Sequence, residues 1–187
     1  MEYISLGGDC AVAYHLQRMG LRTCAYPFDW ILTPRIVPLL ESQGVDFIQE
    51  ELLIWKNKTS SFPRIDEDWG SECAVAWCDS ELSRVVHKTY KCSFVHDLKD
   101  KQDIHNIKEC IEKYKRRWER FHQIMKNPKV YKKCFRMGKK EDIETVCESL
   151  GYINYTIIQH ESIPGTDWKR NDWHWEKWFQ EPICETV

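Results

Sequence analysis

The run from residue 100 to residue 160 constrains the fold more than any other part of this chain. DKQDIHNIKECIEKYKRRWERFHQIM (100–125) carries apolar residues at 104, 107, 111, 114, 118, 121, 124 and 125. That is the spacing of an amphipathic helix of about six turns, and Asn127 and Pro128 end it. VYKKCFRM (130–137) reads as a strand, DIETVCESLG as a helix closing on Gly151, and YINYTIIQH (152–160) as a strand rich in β-branched and aromatic residues. Two strands separated by a helix make the crossover that a parallel pair requires.

The N-terminal half extends the pattern. Residues 2–6 (EYISL) predict a strand that stops at Gly7 and Gly8, and a helix runs from Cys10 to about Gly20. TCAYPFDWILTP is broken by Pro27 and Pro34, and IVPLLESQG predicts a short helix with Pro38 near its first turn and Gly44 at its end. CAVAWC (73–78) reads as a buried strand, and 85–87 and 90–95 as two strands joined by a short turn. This order predicts an α/β fold, a three-layer sandwich with a mostly parallel central sheet flanked by helices. With 187 residues the chain reads as a single domain over 1–187, ending in a Trp-rich segment from about 165.

Composition narrows the function classes. Twenty-seven basic residues against 29 acidic give a net charge of −2, so no global field points to nucleic acid or to an anionic membrane. KYKRRWERF is a local basic cluster, yet at helical spacing Tyr114, Trp118 and Phe121 form a buried stripe and the charges a solvated face. No stretch approaches the roughly 18 apolar residues of a membrane helix, and MEYISL lacks the pattern of a signal peptide. The nine cysteines are odd in number and show no CxxC pair, which fits free thiols in a reducing, cytoplasmic setting with neither metal nor cofactor. Trp168, Trp175 and Trp178 share one helical face, so the tail reads as a cap on the core, with an exposed partner surface as the alternative.

The residues that carry chemistry gather where strands end. In an α/β sheet, sites lie beyond the carboxyl ends of the strands, where helix N-termini point. Cys10 occupies such a place, on the first turn of a helix whose dipole favours thiolate. The backbone of Gly7, Gly8, Asp9 and Cys10 offers N–H groups for an oxyanion. A thiol also needs a base, and His96 in CSFVHDLKD falls where a strand meets a loop, with Asp97 beside it. Asp97 orients His96 only if the chain has already turned between them. His160 ends the last strand and offers a second base for the same rim, whereas His15 reads as lying off the face of Cys10. Asp29, set between Phe28 and Trp30, needs a partner if buried. Arg136, at the end of CFRM, is a candidate for that partner or for an anion ligand.

Taken together, these motifs form a set. SLGGDCAVAYHLQRMGLRTCAYPFDWILTP resembles the opening signature of a family of papain-like cysteine peptidases, a domain of unknown function found in bacteria and some large DNA viruses. His96-Asp97 after an aromatic-rich strand, the KYKRRWERF helix, the strand ending in Arg136 and the Trp-containing tail follow in the family's order. The resemblance implies a thiol hydrolase or transferase with Cys10 as nucleophile and His96 as base. Its substrate would be a protein or peptide-like molecule joined by an amide, isopeptide or thioester bond. Papain-like sites carry an Asn or Asp on the strand after the histidine, and VYKKCFRM has neither; Asp9 stands where the family usually has Asn. The third member of the site is thus open among Asp97, Asp29 and none. Two other readings remain beside this one. The first is an inactive interaction protein presenting the Trp-rich tail or the basic helix. The second is an esterase-like hydrolase in which GGDC is completed by Asp172 and His174.

Overall fold

In the computed structural model, residues 1–45, 47–56, 84–94, 96–98, 107–161, 169, 171 and 173–180 are described. The strand expected at 73–78, Ile104, Val95, Trp168 and Asp172 lie outside them.

A parallel sheet of three strands holds the molecule together, in the order β1 (Glu2–Ser5), β4 (Lys132–Met137), β5 (Tyr155–His160). Glu2 is in register with Lys132, and Lys132 with Tyr155. The central strand β4 is buried at every position, which explains why a stretch with two lysines and an arginine still behaves as core. Each of those cations needs an internal partner. Lys132, for example, donates from Nζ to the carbonyls of Asn127 and Ile153, at 2.8 and 2.6 Å.

Alternation along the strands sorts the apolar side chains into two clusters. Ile4, Leu6 and Cys134 join α2 (Val37–Glu41), α3 (Ile107–Met125) and α4 (Ile143–Ser149) on one face. Tyr3, Phe135 and Met137 join α1 (Cys10–Arg18) and α5 (Trp175–Phe179) on the other. Helix α3 presents the expected stripe: Ile107, Cys110, Tyr114, Trp118, Phe121 and Met125 are all buried. Burying each of the larger ones stabilises the fold by about 1.5–3 kcal/mol. Phe28 is inserted edge-on between Trp118 and Phe121, with centroids at 5.1 and 5.4 Å.

A separate antiparallel pair, β2 (Leu53–Lys56) and β3 (Arg84–His87), forms its own small sheet. The strand expected over 90–95 is reduced to bridges at Ser93, which pairs with Leu32 and Val86. Lys91 stands in the left-handed region at φ 56°, and this breaks the extended run. Among the described residues, no helix is long and apolar enough to cross a membrane.

Candidate active site

The chain turns from β1 into α1 through two left-handed glycines, Gly7 at φ 71° and Gly8 at φ 86°. A Cβ on Gly8 would lie 1.6 Å from the carbonyl oxygen of Met137, so the turn presses directly on the end of β4. Asp9 is the N-cap: its Oδ1 accepts from the Ala11 N–H at 2.7 Å. Cys10 is therefore the first residue of α1, at the carboxyl edge of the sheet, and it is 1% exposed.

The turn's own hydrogen bonds revise the oxyanion expectation. Gly7 N–H donates to Ser5 Oγ at 3.2 Å, and Gly8 N–H to Thr33 Oγ1 at 2.7 Å. Both amides serve the turn itself.

Arg136 lies directly beneath this turn and is fully buried. Its partner is Glu141, whose Oε1 accepts from Nη2 at 2.8 Å, and it donates further to the carbonyls of Leu6, Thr33 and Pro34. Glu141 in turn accepts from the Ile36 and Val37 N–H groups at the start of α2. Arg136 thus ties β1, β4 and residues 33–37 together; it is not the partner of Asp29.

The partner of Asp29 is Arg22, which donates to Oδ2 at 2.5 Å; the Tyr26 N–H donates to the same oxygen at 3.0 Å. Asp29 is 1% exposed, and its Oδ1 is buried without a hydrogen bond. Burial dominates its ionisation and pushes the carboxyl up to about 6, against the lowering influence of Arg22 and the Tyr26 N–H. Trp30 follows, half-buried, at the unusual φ of 66° for an aromatic residue. The Arg22 guanidinium lies 5.6 Å from the centre of its ring.

His96 is exposed, and its ring meets that of Trp30 at 5.3 Å with an interplanar angle of 72°. Asp97 is turned the other way, onto α3: Lys113 Nζ is 2.6 Å from Oδ1, and Tyr114 O–H donates to Oδ2 at 2.7 Å. Burial alone would raise Asp97, but the hydrogen bonds from Lys113 and Tyr114 outweigh it and hold the carboxyl below its usual range. Asp97 serves to dock this segment on α3.

One stretch of chain, residues 28–34, links the two halves. Phe28 and Thr33 crowd the face of Gly7, and Thr33 also holds Gly8 and contacts Arg136. Leu32 exchanges backbone hydrogen bonds with Ser93 at 3.0 and 2.9 Å, three residues before His96, and Trp30 meets His96 itself.

The remaining histidines separate. His15 is fully buried: Nδ1 accepts from Arg18 Nε–H, which leaves the Nε2 proton to donate to the Lys169 carbonyl, and the ring stacks on Trp175 at 4.2 Å. His160 is exposed at the end of β5, edge-on to Trp173. His174 is the exposed N-cap residue of α5, immediately before Trp175. Trp175 and Trp178 are buried against α1 and β4, and Trp173 is half-buried. Buried thiols at Cys92 and Cys134 are pushed well above their ordinary value by desolvation, which suits packing residues. Among the described residues no group of three or more His, Cys, Asp or Glu side chains is gathered as a metal ion requires.

Arg22, Trp30, Thr33 and Glu141 were not singled out by sequence. A buried Arg136 demands an acid, and Glu141 follows it after GKK, but spacing alone does not rank it above its neighbours.

A thiol at the start of the helix that follows β1 is the feature to hold against known families. The family model described as "Putative papain-like cysteine peptidase (DUF1796)" matches residues 1–154. The chain belongs to this family. The uncharacterized protein R408 of Acanthamoeba polyphaga mimivirus is 30% identical over 137 residues, which cover 68% of this chain and 57% of that protein. The chain thus matches little more than half the length of this relative. No solved structure matches it significantly.

Proposed function

We propose that this family member is a cysteine-dependent hydrolase of peptidase, isopeptidase or thioesterase type, with Cys10 as nucleophile and His96 as base. The observation that carries the reading is the shared contact made by residues 28–34, which touch both the turn that presents Cys10 and the segment that bears His96. In the reaction, the thiol proton passes to His96 as sulfur adds to the substrate carbonyl carbon. His96 then returns the proton to the departing amine or thiol, and water cleaves the acyl-thioester to restore the thiol. The N-terminus of α1 stabilises the thiolate. At 1% exposure Cys10 meets substrate only after its cover moves, so opening is part of each turnover.

A second reading replaces His96 by His174. It is favoured by the docking of the tail on the nucleophile's own helix, where Trp175 stacks on His15. Asp172 would then be its carboxylate.

The test is the pH dependence of iodoacetamide labelling at Cys10, followed by mass spectrometry in the wild type, His96→Ala and His174→Ala. Labelling that persists below pH 7 and collapses only in His96→Ala supports the first reading; collapse only in His174→Ala supports the second. A profile centred near the free-thiol value of about 8.5 in all three proteins removes the enzyme reading altogether.

A further inference from the structure

A base must be held in one orientation before it can take a proton repeatedly from the same thiol. The residue beside His96 that sequence offers for this task, Asp97, has turned onto Lys113 and Tyr114. The imidazole does meet Trp30. Its ring lies 5.3 Å away, nearly perpendicular, and an edge-to-face contact of this kind restricts rotation of the smaller ring.

Trp30 is itself fixed from two sides. Asp29, buried and bonded to Arg22 and to the Tyr26 N–H, holds the guanidinium that lies over the indole. The backbone at Trp30 is in the left-handed region, a conformation that costs an aromatic residue energy and persists only where its surroundings impose it. Phe28, two residues earlier, is locked between Trp118 and Phe121 in the core. The strained turn thus holds an indole at the surface, aimed at the one exposed histidine of the 92–98 segment.

We infer that Trp30 is a positioning residue for His96, its indole clamped by Arg22 and restricting the rotation of the imidazole. The inference rests on the hydrolase reading with His96 as base. It predicts that the orientation of His96, and through it the reactivity of Cys10, depends on an aromatic ring at position 30 more than on Asp97.

The experiment compares the pH profile of Cys10 alkylation in the wild type, Trp30→Ala, Trp30→Phe and Asp97→Asn. NMR of the His96 ring reports its tautomer and mobility alongside. The expected result is at least a tenfold loss of labelling at pH 6.5 in Trp30→Ala, with the profile displaced toward that of a free thiol. Trp30→Phe should stay within about threefold of the wild type, and Asp97→Asn, which keeps an acceptor for Tyr114, should lose less than Trp30→Ala. A His96 ring that becomes mobile in Trp30→Ala accompanies this result. A wild type that already labels as a free thiol overturns the hydrolase reading, and the inference with it. A wild type with an activated thiol whose profile Trp30→Ala leaves unchanged overturns the role of Trp30 alone. Should Trp30→Ala fail to fold, Arg22→Gln removes the clamp while keeping the ring, and an unchanged profile and an unchanged His96 ring there count against the inference equally.

Discussion

Gly8 shows what a single residue can fix. A side chain there would meet the Met137 carbonyl oxygen at 1.6 Å and its carbon at 2.7 Å, and the backbone is left-handed as well. Gly8→Ala is expected to destabilise the protein by about 3 kcal/mol or more, read from urea unfolding, because strain and overpacking add. Gly20 has a similar φ, 67°, but a methyl group there would meet nothing within 4 Å, so Gly20→Ala should cost only about 1 kcal/mol. Asp29 offers a prediction with a pH signature. Its carboxyl is raised by burial from 3.8 to about 6, so the folded state binds the proton more tightly than the unfolded one. That contribution to stability is fully present below about pH 4 and is lost as the pH rises through 6. The stability of the wild type relative to Asp29→Asn should therefore increase by up to about 3 kcal/mol between pH 7 and pH 4, measured by denaturation at several pH values. Asp97, which is lowered, acts in the opposite sense and below that window, so the difference between the two proteins isolates Asp29. The sequence predicts that Asp29, if buried, needs a partner. It offers Arg136, whereas the fold brings Arg22 within reach and gives Arg136 to Glu141.

Helices and strands were legible where a period repeats for long enough. The stripe of α3, the strand β4 and the helix α4 follow directly from apolar spacing, and α1 begins at Cys10 as the glycine pair implies. The differences have local causes. Strand β5 begins at Tyr155 and not at 152, because Asn154 is left-handed at φ 53° and Tyr152 folds back into the core. The segment after β3 is broken at Lys91 for the same reason. Burial of the polar residues of β4 is what spacing does not show: Lys132 is satisfied by two carbonyls and Arg136 by Glu141. The five-residue helix α5 is far too short to persist alone and exists because its indoles are buried. Trp175→Ala should cost about 3–5 kcal/mol and lower the hydrogen-exchange protection of α1, since Trp175 stacks on His15 there.

At the level of the molecule, the family match and the folding unit have different limits. The match ends at residue 154, whereas β5 pairs with β4 along all six of its residues and α5 covers Phe135 and Met137. A chain ending at residue 154 should therefore fail to give a cooperative thermal transition and should bind hydrophobic dyes, while one ending after α5 should keep β5 and the cap. The α/β class was readable because consecutive strands flank a helix. The detached β2 and β3 pair was not, since antiparallel and parallel partners carry the same alternation.

The register of β1 with β4 also sets a timetable. Glu2 waits for Lys132, about 130 residues further on, before its strand has the neighbour it pairs with. At roughly 5–20 residues per second, a ribosome needs on the order of ten seconds to deliver that neighbour. During that interval the thiol of Cys10, 1% exposed in the finished fold, belongs to an unburied nascent segment. The newborn chain thus passes through a period in which its sulfur is open to oxidants and electrophiles, and adding a bulky adduct then would block the close packing of the turn against β4.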